Sequence, residues 1–274
     1  MATQPSAEIG VIGGTGLYQI DALKNFRWFN LETPWGKPSD EFLIGEITGR
    51  QVAFLPRHGR HHHLLPSEIN HRANIYAMKT LGVTRILSVS AVGSLKEALS
   101  PGTFVAPSQF FDRAKRSQEH TFFGNGIVAH ITFAQPVCSQ LQTLLHEAAA
   151  TTGPASLGGI YVNIEGPAFS TRAESQTYHQ AGFDVIGMTN LGEAKCAREA
   201  EICYATLAMV TDYDCWHESH AAVTAAMVME LLKKNILRAQ QILIRAIEKM
   251  PHESSCKCQR VLKHAIVTPY LHYY

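Results

Sequence analysis

The chain has no surplus of either charge, no long apolar run, little proline and few cysteines, and each shortage removes a class of protein. Its 24 Lys and Arg against 23 Asp and Glu leave a formal charge of +1, without a basic block. That balance argues against a dedicated nucleic-acid or membrane-surface binder. With 12 Pro and 20 Gly in 274 residues, and 46% apolar residues, the chain is neither collagen-like nor disordered. No apolar run approaches the roughly 18 residues of a membrane span. The opening Met1–Glu8 lacks a basic-then-apolar leader pattern, so the expected location is cytoplasmic. Repeats and Pro/Gly/Ser linkers are also lacking, which predicts a single domain over 1–274 with a C-terminal tail at 250–274.

Six cysteines, Cys138, Cys196, Cys203, Cys215, Cys256 and Cys258, are spread thinly and read as buried or idle thiols. Only Cys256-x-Cys258 is locally suggestive. Its spacing is shorter than the usual zinc pair, and no second Cys or His pair at zinc spacing accompanies it, so no metal is expected. A local disulfide there stays open, although 17% charged residues is not the ion-rich composition of hyperthermophile proteins.

What is present is an alternation of strand and helix signals. Strands are predicted over 9–12, 52–55, 86–92, 160–164, 185–187 and 204–210, the last as an apolar run buried on both faces. Helices are predicted over 70–81, 141–150, 173–181, 193–200 and 223–249. This is an α/β pattern with a central, mixed β-sheet flanked by helices.

Four motifs follow predicted strands. Gly13-Gly14-Thr15-Gly16 permits backbone N–H groups to approach an anion, but it is neither a dinucleotide fingerprint nor a P-loop, and a plain tight turn reads equally well. Arg57-His58-Gly59 offers a forked cation beside a ring donor, and the following His61-His62-His63 reads as a solvated loop rather than a metal cluster. Ser88-Val89-Ser90-Ala91-Val92-Gly93-Ser94 ends a strand in small residues, which leaves room for a ligand. If these strands are neighbours, the three turns converge on one sheet edge as a phosphate site. Thr211-Asp212-Tyr213-Asp214-Cys215-Trp216 follows the apolar strand. Its two acids serve either as caps or as a carboxylate pair, one oxygen accepting from an amino group while a protonated carboxyl donates to a ring nitrogen.

Taken in order, Gly13–Leu17, Thr33–Ser39, Arg57–Gly59, Asn70–Asn74, Ile164–Pro167 with Phe169-Ser170, Met188-Thr189 and Thr211–Trp216 resemble the 5′-methylthioadenosine phosphorylases. Those enzymes belong to the trimeric purine nucleoside phosphorylase superfamily. The resemblance runs from about Ile9 to Lys249 and implies a nucleoside phosphorylase fold. It also implies that Thr15, Arg57, His58, Ser90, Ala91 and Thr189 surround phosphate, and that Met188 lies along the ribose. Phe169 would pack on the purine, whose polar edge meets Ser170, Asp212 and Asp214. His130 would reach a neighbouring subunit's 5′ pocket, lined by Ala225, Val228 and Met229. Without the resemblance those last three read as core positions, and His130 as a structural histidine in an apolar strand. Ala168 stands where many relatives have Arg, and Gly192 where Pro is common.

The implied reaction is phosphorolysis of a methylthio-nucleoside to adenine and a sugar 1-phosphate. Phosphate is a co-substrate, and no metal or organic cofactor is needed. Asp212 is expected to protonate N7 of the leaving base, assisted by Asp214 at the amino edge. The expected assembly is a homotrimer or a pair of trimers, with no nucleic-acid or membrane partner. The nearest rival is a phosphorylase for 6-oxopurine nucleosides or methylthioinosine. A 6-oxo group accepts hydrogen bonds, however, and is better served by an amide than by a carboxylate. A nucleotide-binding or structural module without turnover would keep the phosphate loops but would not need the acid pair.

Overall fold

A computed structural model describes residues 5–14, 16–115, 117–217 and 224–268. In chain order the elements are β1 (Ile9–Gly13), β2 (Lys24–Phe29), β3 (Phe42–Ile47), β4 (Arg50–Pro56), α1 (His71–Thr80), β5 (Arg85–Ser94), β6 (Phe104–Ala106) and β7 (Gln109–Asp112). Then come α2 (Ser139–Ala150), β8 (Ala155–Leu157), β9 (Ile160–Asn163), α3 (Arg172–Gln180), β10 (Val185–Gly187), α4 (Asn190–Glu199), β11 (Cys203–Asp212) and α5 (Ala225–Lys249).

The strands form one mixed sheet. Its path is β2-β3-β4-β1-β5-β10-β9-β7, with β11 also on β5, β6 on β11 and β8 on β6. Side chains alternate between faces, as the period of a strand requires. Val11, Val52, Phe54, Leu87, Val89, Ala205 and Leu207 pack with α2 and α5. On the other face Ile12, Ala53, Leu55, Ile86 and Tyr204 pack with α1 and α4. Gly10 has a steric reason to be there: a Cβ would lie 2.6 Å from Met78 Sδ of α1. No described helix is long and apolar enough to cross a membrane.

Register positions the site. Strands β4, β1, β5 and β11 are mutually parallel neighbours, so the four motifs at their C-terminal ends share one edge of the sheet. On one side β5 pairs with β1 only through Ser88, and antiparallel β10 takes over at Gly93. Between those points the sheet splits, leaving Val89–Val92 unpaired on that side. A split of this kind is where open α/β sheets hold ligands.

Candidate active site

Arg57 follows β4, and its backbone N–H donates to Gly13 O (2.8 Å), which ties the Arg-His-Gly turn to the glycine turn. Its guanidinium is buried at 2% exposure. Nε donates to Glu193 Oε1 (2.5 Å), Nη1 to Val89 O (2.8 Å), and Nη2 to Ser88 Oγ (2.6 Å) and Glu193 Oε2 (3.3 Å). All three nitrogens are thus turned to protein acceptors rather than presented as a bare fork. Burial of the pair opposes ionisation, but the Glu193 carboxylate more than offsets it and holds the Arg57 pKa above its usual range.

Glu193 lies in the first turn of α4, where a carboxylate also meets the positive end of the helix. Around it, Ser88 Oγ and Tyr204 OH donate to Glu193 Oε2 at 2.7 and 2.8 Å. Asn190 Nδ2 donates to Ser88 Oγ (2.8 Å) and Tyr204 OH (2.9 Å), while its Oδ1 accepts from Ser90 Oγ (2.6 Å). Local sequence gives no sign of this network, because its members are brought together from β4, β5, α4 and β11. The one readable signal is an acid in the first turn of the helix after Thr189.

The remaining phosphate candidates gather beside it. Thr189 is the N-cap of α4, and the Leu191 N–H is held by Asn163 Oδ1 at 3.2 Å; helix N-termini favour anions. Ser90 is buried and Ala91 half-buried, both in the split stretch of β5. His58 is half-buried, with Nδ1 2.9 Å from Leu64 O, so the neutral ring keeps its proton there and turns Nε2 free of it. Burial, and after it the Arg57 charge, lower its pKa to about 4. Thr15 lies outside the described residues. Tyr161 of β9, missed in the sequence, is fully buried with a hydroxyl that finds no partner. Its pKa is pushed up to about 12, chiefly by burial.

The acid pair ends β11, where Asp212 stands opposite Gly93 in register. A Cβ at Gly93 would lie 2.9 Å from Asp212 Oδ1. Asp212 accepts from Thr211 Oγ1 (2.6 Å) and from the Asp214 N–H (2.8 Å). The capping reading is therefore met in part, since Asp212 secures the left-handed turn at Asp214 (φ 51°). Asp214 Oδ2 is buried and makes no well-formed hydrogen bond, although the Ser175 and Ser170 hydroxyls lie near enough to favour its charge. Burial raises the pKa of both acids. Ser170 lies against the pair: its C=O accepts from Cys215 Sγ at 3.3 Å, and its own hydroxyl is buried and likewise makes no well-formed hydrogen bond. Phe169 is 47% exposed, an uncovered aromatic face. Met188 packs its sulfur where a Cβ at Gly166 would stand.

From Ser90 to Gly93 is three residues, or roughly 10 Å of extended chain, a span on the scale of a nucleoside with an anion at one end. A polar, cation-bearing end and an acid end are thus held on one strand pair.

The sequence of this chain from residue 8 to 248 matches the model of the phosphorylase superfamily. The chain belongs to that superfamily. Among its members, the S-methyl-5′-thioadenosine phosphorylase of Geobacter sulfurreducens is 54% identical over 261 residues, covering 95% of this chain and 91% of that one. The protein of the same name from Koribacter versatilis is 54% identical over 263 residues, 96% and 90% of the two chains. The superfamily fold is equally close in solved structures. A methylthioadenosine phosphorylase from an Antarctic soil metagenomic library superimposes with a TM-score of 0.91 at 49% identity, covering 97% of this chain and 94% of that one. The methylthioadenosine phosphorylase of Schistosoma mansoni in complex with adenine gives 0.87 at 36% identity, with 93% and 96% covered.

Two expectations need correction within this superfamily frame. His130 does not lie in a strand: it is exposed, Ala129 makes a single bridge to Ile266, and the His130 N–H donates to Ala265 O at 2.8 Å. Ala225, Val228 and Met229 are not core residues either. Ala225 and Met229 are exposed and Val228 half-buried, and the buried positions of α5 begin only at Ala239.

Proposed function

We propose that this chain catalyses phosphorolysis of S-methyl-5′-thioadenosine, releasing adenine and 5-methylthioribose 1-phosphate. The observation that carries the base assignment is the buried Asp214 Oδ2, without a well-formed hydrogen bond, beside Asp212. Such an acceptor is satisfied by the donor of a 6-amino group and repelled by a 6-oxo group. The names of the relatives point the same way.

In the reaction a phosphate oxygen attacks C1′ as the C1′–N9 bond breaks. The base leaves with growing negative charge, and a proton at N7 stabilises it. Asp212, kept protonable by burial, donates that proton, and Asp214 accepts from the amino group. Thr15, Ser90, Ala91 and Thr189 bind phosphate, His58 accepts at Nε2 from its P–OH, and Arg57, engaged by Glu193, Ser88 and Val89 O, holds the floor of the site. Phe169 and Ser170 hold the base and Met188 the ribose. Nothing in this scheme calls on a metal or an organic cofactor.

The site is completed by a neighbour. Exposed His130, Ala225 and Met229, with half-buried Val228, support a homotrimer, alone or paired, in which His130 of one subunit meets the 5′ pocket of the next. An apolar pocket discriminates weakly against an added hydroxyl, so adenosine should be poorer by about 10–200-fold rather than inert.

Mixing the protein with S-methyl-5′-thioadenosine, with and without inorganic phosphate, tests the reading. Adenine release that depends on phosphate is expected. Equal release without phosphate would make it a hydrolase, and release of hypoxanthine from methylthioinosine at a higher rate would favour the 6-oxo reading.

A further inference from the structure

Cys138, Cys203, Cys256 and Cys258 come from four separate places: the start of α2, the start of β11 and two points of the tail. Yet their Sγ atoms all lie within 4.8 Å of one another. Three are buried and Cys256 is half-buried. Cys203 Sγ and Cys256 Sγ are 3.2 Å apart, and Ser254 Oγ stands 3.1 Å from Cys256 Sγ. The short Cys-x-Cys spacing, which argued against a metal in the sequence, is completed here by two residues that no sequence window joins to it.

We propose that these four cysteines form a structural tetrathiolate site for zinc, remote from the active site and independent of its reaction. Four sulfurs at about 2.3 Å from one ion stand roughly 3.8 Å from each other at the corners of a tetrahedron. A cluster whose every pair falls within 4.8 Å needs shifts of about an ångström or less to reach that arrangement. Thiolates in fourfold array select soft or borderline cations over calcium or magnesium. Binding releases the thiol protons to solvent and changes no oxidation state. A cleft lined by Arg85, Cys138, Leu141, Cys203, Met250 and Ser254 gives an ion access.

Arg85, which lines the same cleft and pairs with Glu8, donates to His252 O and so holds the tail against the strands at this end. The ion would join α2, β11 and the tail into one unit. That tail continues to Ala265, which holds the His130 backbone.

The test is metal analysis of full-length protein purified under reducing conditions without chelator. One zinc per chain is expected, together with cobalt(II) substitution giving intense thiolate-to-metal absorption and tetrahedral d–d bands. The double variant Cys256→Ser/Cys258→Ser should fold, since both residues lie in the tail, and should bind neither ion. Cys196→Ala, outside the cluster, should keep the full complement. Thiol titration of native protein should leave four cysteines protected until a chelator is added. Zinc-supplemented protein that holds no zinc, that holds iron instead, or whose cluster is oxidised to disulfides by mass would overturn the proposal. So would a serine double variant that retains the metal. None of these readouts depends on phosphorolysis, so a failure here and a failure of the proposed reaction are distinguishable.

Discussion

At Asp212 both carboxylate oxygens already hold protein donors, while one oxygen of Asp214 makes no well-formed hydrogen bond. Burial raises both acids above 3.8. Just above that pH the folded chain therefore keeps protons that the unfolded chain has lost. Stability then falls as pH rises through the window and stays lower beyond it. Asp212→Asn removes one such ionisation, so its melting temperature should fall less steeply than the parent's as pH rises from 3.8, although the amide can accept from only one of the two donors. Its turnover should drop about 10²–10⁴-fold for want of a general acid. A variant keeping more than a tenth of the activity would reduce Asp212 to a turn-former. His58 has the opposite sign: held neutral down to about 4 against 6.5 when unfolded, it costs stability as pH falls between those values. Arg57 has a heavier structural role than an anion contact implies. Arg57→Ala leaves Glu193 buried and unpaired, and should cost about 3–5 kcal/mol in urea unfolding. Removing both partners should cost less than the two single losses together. Arg57, His58 and the two acids could be singled out because each follows a strand the sequence announces, and Ser90 because small residues end such a strand. Glu193, Asn190 and Tyr204 could not, since their meaning lies in partners on β4, β5 and β11. His130 was legible only by resemblance, because neither its exposure nor its bond to Ala265 has a local signal.

Among the elements, every predicted helix and the six predicted strands form close to where periodicity put them. The five strands that were not predicted share causes. β6 and β8 are three residues long, too short to show a period, and β2 and β7 expose most of their side chains, so no apolar alternation announces them. β3 is buried but interrupted by Gly45, where a Cβ would come within 2.8 Å of Phe26 on β2. Close approach of two strands thus erased the run that would have announced one of them. The same logic applies to Gly192 at the start of α4, where the likeness to relatives leads one to expect proline. A Cβ there would lie 2.5 Å from the His71 ring and 2.8 Å from the His120 ring. Gly192→Ala should therefore destabilise by about 1–3 kcal/mol through overpacking, against the roughly 1 kcal/mol that alanine normally gains over glycine in a helix. A thermal melt showing a net gain would mean the two imidazoles move aside freely.

For the whole molecule, the proposed shared pocket would draw on the exposed residues of α5 and on the segment around His130. Mass in solution should correspond to three or six chains, and a fully active species of 30.2 kDa would refute the shared pocket. His130→Ala should then raise KM for the methylthio-nucleoside while leaving the phosphate KM unchanged. At the N-terminal ends of the central strands, Arg50 donates to Met250 O, Arg85 donates to His252 O, and both arginines pair with Glu8. The cysteine cluster sits on the same border, about nine residues or roughly 30 Å along β11 from Asp212. The sheet is thus riveted along one margin and slit along the other, like a pair of tongs held at the pivot. Amide exchange should be slowest at Arg85–Leu87 and Cys203–Ala205 and quicken toward Val92 and Thr211. The jaws can yield to a substrate and release a base without loosening the joint on which they turn.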